Sequence, residues 1–203
     1  MSSYLICDII NYGDGMILEA IILAILVLFF MKDKDLNNLI NFKFKMISLA
    51  FFGIFLMIFI NFVTAHYFGS LTDFFVKYFT IFHIISILAI GISLTSNYKN
   101  YGLLLCGLGT FLNALPVIFN GKMPVSASAL MKTNNERIIK LIYMGGSLSH
   151  GVFESPKFYF LSDIIPLHRF IGNSKVISVG DIFISLGLFF AIILITRKKV
   201  PNG

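Results

Sequence analysis

Val179–Thr196 reads VGDIFISLGLFFAIILIT, with Ser178 ahead of it and Arg197-Lys198-Lys199 behind it. Asp181 is the only charged residue in the run, and it stands near the start. At ~1.5 Å per residue the run nearly crosses the ~30 Å hydrocarbon core of a bilayer. Inside lipid each backbone N–H needs a partner within its own segment, so such a run folds as a helix. Ser178 and Asp181 have the spacing of a capping box, which satisfies the first free N–H groups where the chain enters. The basic triplet at the other end belongs at a head-group surface.

The same reading applies upstream. Apolar runs cover Met16–Met31, Met46–Ala65, Tyr78–Leu94 and Gly102–Phe119. The sequence predicts an all-α, polytopic transmembrane bundle of about five spans, with the whole chain, residues 1–203, as one membrane domain. Composition agrees. Of 203 residues, 57% are hydrophobic and only 13% charged, against about a quarter charged in ordinary soluble domains. Mean hydropathy is +0.87. Asp14 is the expected N-cap of the first span, Ser70 and Asp73 a capping box before the third, and Pro116 a kink or stop late in the fourth. No basic stretch opens the chain, so a cleaved signal peptide is not expected.

The net charge is +6. A basic balance raises nucleic acid as a partner, but the Lys and Arg flank apolar runs and no basic stripe with interleaved aromatics exists. The expected partner is the lipid bilayer, with room for a protein partner or a second copy. Cys7 and Cys106 should lie at different depths, so no disulfide between them is expected. By side, Lys32, Lys34, Lys43, Lys45, Lys99, Arg197, Lys198 and Lys199 stand against Lys77, Lys122, Lys132, Arg137, Lys140, Lys157, Arg169 and Lys175. The totals are equal, but the first group hugs span ends and short loops, which dominate orientation. That puts the N-terminus outside and the C-terminus in the cytoplasm.

Residues 120–177 are of mixed character. Asn120-Gly121 marks a turn. Ser126 can cap a short helix over Ala127–Met131, and Glu136–Met144 has helical spacing ended by Gly145-Gly146. No piece is long enough to span, so the segment should lie on the membrane or fold back over the bundle.

Antiparallel threading puts the scarce polar residues in one third of the membrane, the outer one. These are Glu19, Asn61, His66, His83, Asn113, Asn120 and Asp181, while Ile21–Phe30 and Leu186–Ile195 are wholly apolar. An ionisable group in hydrocarbon is costly unless paired or wet, and such groups tend to face a bundle interior or cavity. A polar pocket roofed by residues 120–177 would use Glu19, His83 and Asp181 as acid–base candidates. Its ligand-binding candidates are Asn61, Asn113, Asn120, Lys122, Ser126, His150, Asp163 and Arg169. The plainer reading gives each a local role: Asp181 a cap, Asn113 an interhelical hydrogen bond, His66 a helix end.

Catalytic motifs are lacking. His66, His83, His150 and His168 share no metal-binding spacing, so no metal is assigned. Gly146-Ser147-Leu148-Ser149-His150-Gly151 does not fit the G-x-S-x-G nucleophile pattern. There is no P-loop or dinucleotide fingerprint, and the sequence names no cofactor.

Asn113–Leu130, NALPVIFNGKMPVSASAL, resembles a motif of an uncharacterised family of small bacterial integral membrane proteins, as do Leu161–Pro166 and Ser178–Ile182. In that family a span ends in an N-G-x-M-P-V-S loop and the last span opens with S-[VI]-G-D. Here the motif residues are Asn120, Gly121, Met123, Pro124, Val125, Ser126, Ser178, Gly180 and Asp181. The match is good over the C-terminal half. The resemblance implies a bacterial plasma-membrane protein and carries no activity. The leading expectation is a non-enzymatic accessory, sensor or assembly partner. Its rivals are a membrane-embedded enzyme or lipid binder with an outer pocket, and a small oligomeric transporter.

Overall fold

A computed structural model describes residues 15–168 and 174–198. The expected cap at Asp14, Cys7, Arg169 and Lys199 lie outside them. The long helices are α1 (Gly15–Phe30), α3 (Ile47–Ala65), α5 (Phe79–Thr95), α6 (Tyr101–Asn120) and α9 (Val179–Thr196). Each boundary falls within one residue of the apolar run that predicts it. Between them lie the short helices α2 (Asn37–Ile40), α4 (Ser70–Lys77), α7 (Ala127–Lys132) and α8 (Glu136–Tyr143). The fold is an all-helical bundle. Three helices, α3, α6 and α9, are long and apolar enough to cross a membrane. The pair α4 and α5 meets the same criterion together, bent by 65°, and α1 is apolar but shorter.

The extensive helix contacts run in a row: α1 on α9, α9 on α6, α6 on α5, α5 on α3. The last helix thus inserts between the first and the fourth of the long helices. Small residues set this order. Gly102, Cys106, Gly109 and Asn113 share one face of α6 and meet Gly180, Ile184, Gly187 and Ala191 of α9. A Cβ on Gly187 would lie 2.5 Å from the Cys106 nitrogen and 2.7 Å from the Gly102 carbonyl. Between lipid-embedded helices there is no hydrophobic drive to associate, so close backbone approach and interhelical hydrogen bonds must hold them. The Cys106 thiol donates to the Ile184 carbonyl at 3.3 Å. Gly53 against Ser86 and Gly107 against Gly91 and Thr95 repeat the device along the row. Outward faces are apolar: Phe29 is 78% exposed and Phe55 66%. That inverts the pattern of a water-soluble surface.

One end of the row carries the basic loops. Asp35 N donates to the Thr196 carbonyl (2.7 Å), and Lys198 N donates to the Asp33 carbonyl (3.0 Å). Asn97 accepts from Lys45 N (2.8 Å) and donates back to the Lys45 carbonyl (3.1 Å). At the opposite end, Thr80 Oγ1 donates to the Gly121 carbonyl (2.8 Å), holding the start of α5 against the loop after α6.

Residues 121–168 and 174–178 form a cap over that second end. The sequence suggests only helices and loose apolar pieces here. The structure adds two ribbons, β1 (Met123–Pro124) parallel to β2 (His150–Gly151), and β3 (Ile165–Leu167) antiparallel to β4 (Lys175–Ile177). Strands this short carry no period-two pattern to read. Val125, Ala129, Leu130, Ile138, Ile142 and Val176 close a small apolar core, so the cap is packed rather than spread flat. The expected helices do form. Ser126 Oγ accepts from Ala129 N (3.4 Å) to cap α7, and α8 ends at the left-handed Gly145.

One local expectation is corrected, and one of the two alternatives for Pro116 is removed. Ser70 and Asp73 do not cap α5. They belong to the separate helix α4, whose N-cap Gly69 makes no side-chain bond. Thr72 fixes that corner instead, accepting from Phe68 N (2.8 Å) and donating to the His66 carbonyl (2.9 Å). Pro116 does not stop α6, which continues to Asn120. Asn120 Nδ2 donates to the Pro116 carbonyl (2.8 Å), and Gly121, at φ 78°, ends the helix in the left-handed region.

Candidate functional site

The predicted polar residues divide into two groups at the cap end. The first joins α6 to the start of α9. Ser178 Oγ accepts from Asp181 N (3.0 Å) and donates to Asn113 Oδ1 (2.7 Å). Asp181 accepts from Ser178 N (3.0 Å) on one carboxylate oxygen and from Asn113 Nδ2 (2.8 Å) on the other. The expected capping box is present. The sequence does not reveal that Asn113 closes it into a ring across two helices. Each oxygen of Asp181 is engaged, one by the Ser178 backbone N–H at the helix start and one by the Asn113 amide.

The second group sits under the cap around His150. Ser149 Oγ lies 2.7 Å from His150 Nδ1, and His150 Nε2 lies 3.6 Å from Asp163 Oδ2. The ribbons make this arrangement. Met123 pairs with His150 in β1–β2, and Asp163 bridges to Val125, its N–H donating to the Pro124 carbonyl (3.0 Å). The M-P-V stretch therefore holds residues 150 and 163 on either side of itself. Asp163 and Lys175 are buried, while Lys122, Ser147, Ser149 and His150 form a half-buried rim. Lys122 Nζ donates to the Ser147 carbonyl at 2.5 Å. From below, the start of the second turn of α5 contributes His83, stacked on Phe79, with Nδ1 buried and without a hydrogen-bond partner among the described residues.

Burial pulls His150 down from 6.5 to about 3, helped by His83, Lys175 and Lys122. These effects outweigh Asp163, so His150 is neutral near pH 7. Ser149 then donates to Nδ1, and the remaining ring proton sits on Nε2, facing the carboxylate. The opposite tautomer would turn a lone pair toward Asp163. The outline resembles a serine–histidine–aspartate triad, but a base this weak abstracts a proton poorly at neutral pH. The His150 N–H is also engaged, donating to Ser147 Oγ (3.1 Å).

The other candidates stand apart. Glu19 is exposed on α1, at the far side of α9 from α5. Asn61 is half-buried on α3. His66 ends α3, Nδ1 lying 2.9 Å from the Phe62 carbonyl. Asn120 clasps the cap, donating to the Lys157 carbonyl (2.9 Å) and accepting from Lys157 N (2.9 Å). Asp181 is bonded to Asn113 and Ser178 while His83 stacks on Phe79, so these two acid–base candidates have different neighbours. Among the described residues, no three His, Cys, Asp or Glu side chains gather as metal ligands would. Sequence reasoning passes over Ser149 and Lys175 as site residues. Adjacency to His150 flags the first, and nothing short of the β3–β4 pairing flags the second.

A family model of unknown function, DUF5317, matches residues 41–193. The chain belongs to the DUF5317 family. The match runs from α3 through most of α9 and takes in the cap and both polar groups. No curated protein and no solved structure matches the chain. DUF5317 membership brings no activity, so the function must be argued from the geometry above.

Proposed function

We propose that this DUF5317 protein is a non-enzymatic component of a bacterial plasma membrane, an accessory, sensor or assembly partner. In this reading the chain crosses the bilayer five times, the cap stands outside and the C-terminus is cytoplasmic. The observation that carries the reading is the closed ring of Asn113, Ser178 and Asp181, in which the polar groups of the last helix start are committed to one another. The motif residues support it too. Asn120, Gly121 and Ser126 turn, end and cap, and Met123, Pro124 and Val125 are buried against the ribbons. A rigid lid built this way suits docking or sensing.

Ser149, His150 and Asp163 favour a second reading, a membrane-embedded hydrolase. The low basicity of His150 counts against it. An activity-based fluorophosphonate separates the two. The accessory reading expects no adduct on Ser149 after prolonged exposure at pH 8. An adduct that His150→Gln abolishes would establish the hydrolase. The transporter reading has less support, since the halves of α1 and α9 nearer the basic loops are apolar and offer no polar path.

A further inference from the structure

The cluster under the cap is better suited to holding a charge than to moving a proton. Among the described residues, its charged side chains are Lys122, Lys175 and Asp163. Asp163 and Lys175 are both buried. Lys122 is half-buried on the rim, with its ammonium directed at the Ser147 carbonyl. Ser147 and Ser149 place hydroxyls beside it, 3.4 Å apart. A second and independent feature lies on the floor, where His83 Nδ1 is buried with no partner among the described residues, although such atoms are nearly always satisfied in native proteins. His83 reaches this place because Thr80, one turn earlier on the same face, is tied to Gly121 beside Lys122.

We infer that this site binds a phosphate-type anionic group, received at the rim by Lys122 and the Ser147 hydroxyl, with the His83 ring as a donor beneath. Lysine suits such a group as a point charge, and hydroxyl and ring N–H donors complete its shell. The rim residues are partly exposed, and the same chemistry is offered by an anionic lipid head group and by free phosphate. The inference deepens the sensor form of the proposed function by naming what is sensed, and it rests on that reading.

The test uses the full chain with ¹³C-labelled histidine in maltoside micelles, which contain no phosphate. Inorganic phosphate is titrated in one arm and short-chain phosphatidylglycerol in the other, and the His66, His83, His150 and His168 ring signals are followed. The expected result is a saturable shift of His83 and His150 with His66 unmoved. Lys122→Gln should weaken the midpoint at least about tenfold, since it removes a charged hydrogen bond. An unchanged His66 signal in that variant shows that the fold is kept. Shifts with both ligands identify the free anion as sufficient, and shifts with the lipid alone identify the head group. No shift in either arm, or an unchanged midpoint in Lys122→Gln, overturns the inference. The accessory reading survives that failure, because it falls only on a Ser149 adduct.

Discussion

Replacing Asn113 with alanine removes two hydrogen bonds at once. One is the 2.8 Å bond from Nδ2 to Asp181, the other the 2.7 Å bond from Ser178 Oγ to Oδ1. Interhelical hydrogen bonds in membranes average about 0.6 kcal/mol and reach about 1.7. Hydrogen bonds to charged groups run to about 1.5–3 kcal/mol in general. One of each, taking the average for the first, predicts a loss of about 2–3.6 kcal/mol. The loss should appear as a lower midpoint in reversible unfolding of the purified chain in mixed micelles. Its origin is checked by a double-mutant cycle with Asp181→Ala. If the ring is a unit, the two substitutions are not additive, and the coupling energy exceeds about 1 kcal/mol. Ser178 N and the Ser178 hydroxyl still cap α9 in Asn113→Ala, so the helix itself should persist by circular dichroism. Losses that add to within about 0.3–0.5 kcal/mol would refute the reasoning. Asn113 and Asp181 would then be two separate caps, with no link between α6 and α9.

Three further outcomes follow from the same structure. Gly187→Val drives a branched side chain into the Cys106 nitrogen and the Gly102 carbonyl. It should cost at least about 1–3 kcal/mol and cut membrane abundance in a quantitative blot, whereas Leu186→Val on the exposed face should not. His150 is held at about 3 when folded against 6.5 ordinarily. Between those values the unfolded chain binds the proton and the folded chain does not. Stability is therefore complete above about pH 6.5 and falls by about 1.4 kcal/mol per pH unit below it. Denaturant midpoints across that window should show the slope, and His150→Gln should flatten it. Asn120→Ala frees Lys157 and removes the clasp between α6 and the cap. Limited proteolysis should then cut the cap several times faster, with α6 intact.

Much of the bundle is legible in the amino-acid sequence, because lipid allows few solutions. A run like Val179–Thr196 must be a helix, and its ends are marked by Ser178, Asp181 and Arg197. What sequence does not supply is partnership. Asn113 reads as an interhelical donor, but its partners lie 65 and 68 residues away. The Ser70-Asp73 spacing misleads because the same pair fits the first turn of a helix as well as a cap, and Gly69 decides in favour of the former. The cap hides its ribbons because two- and three-residue strands have no periodicity. Threading alone puts His83 and His150 towards the same face. That Lys175 joins them depends on the β3–β4 pairing, which nothing local in the sequence encodes.

In the proposed arrangement the cap and the basic loops lie on opposite faces of a membrane. Three long helices, α3, α5 and α6, separate Lys43 from Lys140. In a Cys7→Ser, Cys106→Ala background, single cysteines at these two positions can be labelled in intact cells with an impermeant maleimide. Lys140→Cys should react at once, and Lys43→Cys only after the cells are permeabilised. The reverse order would keep the bundle and invert its orientation. Equal labelling of both positions in intact cells would contradict the threading itself.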